Sequence, residues 1–176
     1  GWITKKKNII TEKARYENIV YMHDYIIFDK NWYKGFLKFG NKYDVAMNQI
    51  LNKDKKRFRD WTLWPENNNF IDDIVSKNLN CLLPYNVDSL TDYMYISGTY
   101  WVAKKKVMQE FQLNEKLLWG QSEDVEWSKR VRKKYRFKMN KYSKVTCLKQ
   151  KRNDFKKISL IDLRRINKQL KKSKNP

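Results

Sequence analysis

One histidine, two cysteines, five glycines and three prolines in 176 residues leave little material for several common designs. Cys81 and Cys147 stand in apolar surroundings, with no CxxC spacing and no histidine beside them. That spacing argues against a zinc-finger pattern or a disulfide framework and predicts two buried thiols. No apolar run approaches the roughly 20 residues that span a bilayer, and no secretory leader is visible, so the expected compartment is the cytoplasm. Acids are scarce too: 19 Asp plus Glu face 39 Lys plus Arg, for a formal charge of +20.

What is present is aromatic and apolar. Trp, Tyr and Phe make up 15% of the chain and hydrophobic residues 41%, too much for a disordered protein and enough for one packed domain. The charge implies attraction to something anionic, whether nucleic acid, membrane lipid or a phosphorylated small molecule. Much of the excess lies in lysine runs such as Lys5 to Lys7 and Lys104 to Lys106, which read as solvated surface.

Along the chain, helical and strand-like patterns alternate, which predicts the α/β class. Thr4 to Arg15 reads as a helix with Thr4 as its N-cap. Ile19 to Phe28 is a nearly continuous β-branched and aromatic run, predicting a strand buried on both faces and interrupted by one polar pair. Asn31 to Phe39 has helical spacing and stops at Gly40. Val45 to Leu51 and Arg57 to Leu63 suggest a hairpin, and residues 64 to 88 an irregular insertion with a short helix near Ile71 to Val75. Asp92 to Val102 reads as a strand, Lys104 to Phe111 and Ser122 to Lys134 as helices, and Phe137 to Met139 and Val145 to Leu148 as two short strands. The expected domains are 1–150 and a basic tail, 151–176. From Lys149 onward 11 Lys or Arg face only Asp154 and Asp162, and Leu160, Leu163, Ile166 and Leu170 share one helical face. A docked amphipathic helix is the plain reading; peripheral membrane association or a nucleic-acid arm are the alternatives.

Three segments carry candidate chemistry. His23-Asp24-Tyr25 interrupts a predicted buried strand near its carboxyl end, where open α/β sheets bind ligands, and a carboxylate there suits Mn²⁺ or Mg²⁺ on a nucleoside diphosphate. Trp119-Gly120-Gln121-Ser122-Glu123-Asp124 places an aromatic platform before two acids at a helix start. Those acids also complement the helix dipole, but a carboxylate fixed there is suited to take a proton from an acceptor hydroxyl. Ile96-Ser97-Gly98-Thr99-Tyr100-Trp101 sets a glycine within a strand pattern, a mark of close backbone approach.

With these segments in order, the chain resembles glycosyltransferase family 2 and related GT-A enzymes, over roughly Thr4 to Cys147. KKKN leads a helix into IVYMHDYIIF, followed by ISGTYWVAKK and WGQSEDVEWSKRVRKK. The resemblance implies a GT-A-like mixed sheet flanked by helices, without the family's N-terminal β-α-β segment that would precede residue 1. It implies donor binding by His23, Asp24, Tyr25, Gly98 and Thr99, with the metal on Asp24 and His23 in place of a DxD motif. Glu123-Asp124 matches the family's catalytic Glu-Asp motif, with Asp124 as the base of an inverting transfer, and Trp119, Gly120 and Trp101 form the sugar or acceptor platform. The implied partners are a nucleotide-diphospho-sugar donor and a saccharide or other hydroxyl acceptor, with Mn²⁺ or Mg²⁺ at a weakened site. An incomplete sheet edge would favour a homo-oligomer. Two rival readings remain: a non-catalytic remnant or assembly partner of the same fold, and a basic nucleic-acid-binding module.

Overall fold

The computed structural model describes residues 2–64, 81–152 and 156–174. The expected helix near Ile71 to Val75 lies outside them. The described residues form a mixed α/β fold with two sheets. Helix α1 (Ile3–Lys13) leads into β1 (Asn18–Met22), β2 (Ile26–Phe28), α2 (Trp32–Phe39) and β3 (Val45–Leu51). Three two-residue strands, β4 (Thr62–Leu63), β5 (Cys81–Leu82) and β6 (Met94–Tyr95), precede β7 (Tyr100–Lys104) and α3 (Lys105–Glu110). The chain closes with α4 (Glu123–Val131), the long β8 (Phe137–Cys147), β9 (Lys156–Lys157) and α5 (Leu160–Lys174).

The main sheet runs β1-β7-β3-β8-β2, antiparallel except where β3 lies parallel to β8. Its centre, β3, is buried almost throughout, with Val45, Ala46, Met47 and Ile50 at zero exposure. The smaller sheet, β6-β4-β5-β9, takes in the basic tail through β9 alongside β5.

The predicted strand from Ile19 to Phe28 is two strands on opposite edges of the main sheet, not one strand buried on both faces. The polar residues His23 to Tyr25 form the turn between them, at the end of the sheet where β3 and β8 finish and β7 begins. Met22 and Ile26 are four Cα steps apart, a reach of roughly 14 Å. Four flat strand spacings would need roughly 19 Å, so the sheet must curve to bring its edges together.

The predicted hairpin also divides. A bridge from Leu51 to Arg57 and the Phe58 N–H on the Ile50 carbonyl begin it, but Asp60 then takes the Ile50 N–H with its side chain, and the second arm leaves for the smaller sheet as β4. Buried Asp60 also accepts from Arg57 Nε at 2.7 Å and from the Tyr85 hydroxyl at 2.6 Å, which fixes the loop's path. Asp92 to Val102 likewise splits into a 3-10 turn, β6 and β7 in different sheets. The two strands expected between Phe137 and Leu148 are one, β8, whose register against β3 shifts at Asn48/Gln49.

Helix α1 buries a polar face. Thr4, Lys7, Asn8 and Thr11, at i, i+3, i+4 and i+7, face inward, while Ile9 and Ile10 are exposed. Thr4 is not the N-cap, which falls on Trp2; its hydroxyl donates to the Leu117 carbonyl from within the helix. Asn8 exchanges hydrogen bonds with the backbone of Leu113, and Thr11 shares one with the Tyr21 hydroxyl. Through these bonds α1 grips the segment that delivers Trp119 to Asp124.

Candidate functional site

A cavity of about 350 Å³ opens at the carboxyl ends of β1, β3 and β8. One wall comes from the turn after β1, where His23 and Tyr25 stack with ring centres 5.1 Å apart. Thr99 closes the floor just ahead of β7, and its carbonyl accepts the His23 N–H. The approach to α4 contributes Trp119, Gly120, Ser122, Glu123 and Asp124. Phe58 and three cations, Arg59, Lys151 and Arg152, complete the lining.

The chain reaches Glu123 and Asp124 through two residues in the left-handed region, Gly120 at φ 84° and Ser122 at φ 59°. For a serine this conformation costs roughly 1 kcal/mol, and Ser122, at the N-cap of α4, makes no side-chain cap bond. The strained turn aims the first residues of α4 at the cavity. Asp124 is then locked from both sides: Oδ2 accepts the Gly98 N–H at 2.6 Å and Oδ1 accepts the Val125 N–H at 2.9 Å. One turn on, the Ser128 hydroxyl donates to the Asp124 carbonyl and accepts the Ile96 N–H. Residues 96 to 98 are thus stitched to α4 along its first turn. Each oxygen of Asp124 keeps a lone pair for a further donor.

The predicted site residues separate into two groups. His23, Tyr25, Thr99, Trp119, Gly120, Glu123 and Asp124, drawn from three distant segments, meet at this one cavity. Trp119 is 68% exposed and lines the cavity. Asp24 is exposed on the turn and does not line the cavity. Gly98 stands behind it, where its missing side chain leaves room for Asp124: a Cβ there would meet Oδ2 at 3.1 Å. Trp101 is not a platform at all. It is 1% exposed, stacked on Tyr21 at 4.9 Å and tilted against Trp127 at 6.0 Å, so it belongs to the core.

The sequence pattern did not single out Lys7. Expected within a solvated run, it is 4% exposed, its Nζ lies 4.3 Å over the Trp101 ring, and that nitrogen has no hydrogen-bond partner among the described residues. Burial pushes the Lys7 ammonium down to about 8, against the pull of Glu123 and Asp124. Burial, and then the charges of Lys7 and Lys151, also push His23 below its ordinary value, against Asp24 and Asp124. The imidazole is therefore neutral at pH 7. The signal for Lys7 was present in the polar i, i+3, i+4, i+7 row of α1. For Arg59, Lys151 and Arg152, three of 39 basic residues, nothing local distinguishes them.

Among the described residues no group of three or more His, Cys, Asp or Glu side chains converges as a metal site. On the turn after β1 the donors are one exposed carboxylate, Asp24, and one imidazole stacked on a phenol, which does not match the paired acids of a DxD motif. No helix among the described residues is long and apolar enough to cross a membrane. Neither a scan against protein-family models nor a search of curated proteins finds a match to the chain.

Proposed function

We propose that the chain is a GT-A-like nucleotide-sugar glycosyltransferase domain that transfers a sugar to an acceptor hydroxyl with inversion, using Asp124 as base. The observation that carries this reading is the meeting of His23, Tyr25, Thr99, Trp119, Gly120, Ser122, Glu123 and Asp124 at one cavity whose lining also holds the cations Arg59, Lys151 and Arg152. A sugar nucleotide has the matching polarity: an anionic diphosphate at one end of the scissile bond and an electrophilic anomeric carbon at the other.

In the proposed reaction the free lone pair of Asp124 takes the proton of the acceptor hydroxyl as its oxygen bonds to the anomeric carbon. The bond from that carbon to the diphosphate oxygen breaks, and the nucleoside diphosphate leaves with the electron pair. Gly98 and Val125 hold the carboxylate so that its reorientation costs little at the moment of reaction. Trp119 packs against a sugar face, and the neutral His23 ring is available as a hydrogen-bond partner to the donor.

The test is a thermal-shift panel of UDP-, GDP- and dTDP-sugars with and without Mn²⁺, followed by transfer assays on any donor that stabilises the chain. Asp124→Asn should retain donor binding and lose at least about a hundredfold in transfer rate. Stabilisation by no donor sinks the reading. The remnant alternative has one observation in its favour, the exposure of Asp24 away from the cavity, and it predicts that flat panel.

A further inference from the structure

We propose that Arg59, Lys151 and Arg152 form a built anion site that takes the donor's diphosphate directly, in the role the family assigns to a metal. The inference rests on the glycosyltransferase reading for its ligand, but its geometry stands independently.

The three cations converge from two segments that follow β3 and β8, both at the cavity end of the sheet. Each segment is fixed by buried side chains. Asn52, at zero exposure, donates to the Lys151 carbonyl at 2.7 Å and accepts the Lys151 N–H at 2.8 Å, locking the chain after β8 to the end of β3. Asp60, bound by Arg57, Tyr85 and Ile50, anchors the loop that carries Arg59. Arg59 itself sits at φ 38°, a left-handed conformation that a non-glycine residue keeps only where its surroundings impose it. The Lys151 ammonium lies 4.2 Å over the Tyr25 ring, beside the turn where a DxD motif would hold its ion. Tyr25 stacks on His23 in turn, so the cation and the turn form one surface.

Charge and placement both fit a diphosphate. The three cations of the lining, its basic wall, carry three positive charges, and Glu123 and Asp124 in the same lining carry two negative ones. An anion in the cavity is drawn to the cations and repelled by the acids. Guanidinium forks bind phosphate oxygens in pairs, and two of the three cations are arginines. A second basic cavity, about 320 Å³, lies at the far end of the sheet, where Lys42, Lys104, Lys106, Arg136 and Lys138 line it together with Glu17 and Asp44. There Lys104 pairs with Asn41 and Glu17, Lys106 with Asp44, and Lys138 with the Lys42 carbonyl.

Calorimetric titration of the full chain with inorganic pyrophosphate in EDTA tests the site. Binding is expected without any divalent ion, about tenfold weaker in Arg59→Gln and in Lys151→Gln, retained in Lys151→Arg, and not weakened in Asp124→Asn. The double variant Lys42→Gln/Arg136→Gln removes two charges at the other cavity and should leave the affinity within about twofold; circular dichroism confirms that each variant is folded. No binding in EDTA, or equal weakening by the control variant, overturns the site. The two proposals fail separately. Pyrophosphate binding that depends on the wall while no nucleotide sugar binds sinks the transferase reading and leaves the anion site. Nucleotide-sugar binding that needs Mn²⁺ and ignores the wall variants sinks the anion site and leaves the transferase.

Discussion

Lys7 shows how much one side chain's surroundings decide. A buried ammonium with no hydrogen-bond partner among the described residues is costly, and the Trp101 ring together with the more distant Glu123 and Asp124 offsets only part of that cost. Below about pH 8 the folded and unfolded chains both carry the Lys7 proton, so the penalty is complete. Between about 8 and 10.5 the folded chain has released the proton while the unfolded chain keeps it, so this contribution to stability improves as pH rises. Lys7→Met should therefore stabilise the protein by about 1–3 kcal/mol at pH 7, with the advantage over wild type shrinking towards pH 10.5. Urea titrations of both proteins at the two pH values check the sign; an advantage that does not shrink contradicts the assigned burial. Gly98 is the second decisive residue. In Gly98→Ala the new methyl group meets Asp124, which must give by a few tenths of an ångström. Transfer should drop about tenfold while the thermal midpoint moves little, because the displaced group is the proposed base and not the core.

Helix α2 and strand β8 pack with almost no gap. At Gly35 a Cβ would run into the Tyr142 carbonyl and the Ser143 hydroxyl, and the carbonyl belongs to backbone that cannot swing aside. The Ser143 hydroxyl also donates to the Trp32 carbonyl, so this contact is where the helix is tied to the sheet. Gly35→Ala should cost about 2–3 kcal/mol, several times the usual gain in helix propensity, and thermal denaturation will show it as a lowered midpoint. Helix α5 is a different case, legible from its own residues. Ser159 and Asp162 form a reciprocal cap at its start, and Ile166 reaches zero exposure with Leu163 and Leu170 partly buried beside it. Leu160, on the same predicted face, is 67% exposed because the helix meets the core only from its second turn.

At the scale of the whole molecule, the charge of +20 is a standing repulsion. Ion pairs such as Lys134 with Glu110 and Lys106 with Asp44 use up acids, but 19 acids cannot match 39 bases. Added salt screens both the pairs and the repulsion, and with a twofold excess of one sign the repulsion outweighs the attraction. Raising sodium chloride from about 0.05 to 0.5 M should therefore raise the thermal midpoint by a few degrees. A midpoint that falls would mean that the surface pairs outweigh the excess charge.

The α/β alternation, the helices at α2, α4 and α5, and the three polar or glycine-bearing segments at 23–25, 96–101 and 119–124 were legible because each rests on local spacing: apolar periodicity, a C-cap glycine, a break in a buried run. Whether a strand was central or an edge, and which sheet a short strand joined, followed from pairings far along the chain. Ile19 to Phe28 and Asp92 to Val102 each read as one strand and became two for that reason. The inward turn of Lys7, the retreat of Trp101 into the core, and the gathering of Arg59, Lys151 and Arg152 have the same origin. Local sequence fixes what each segment prefers, whereas burial and charge neighbours exist only once distant segments meet.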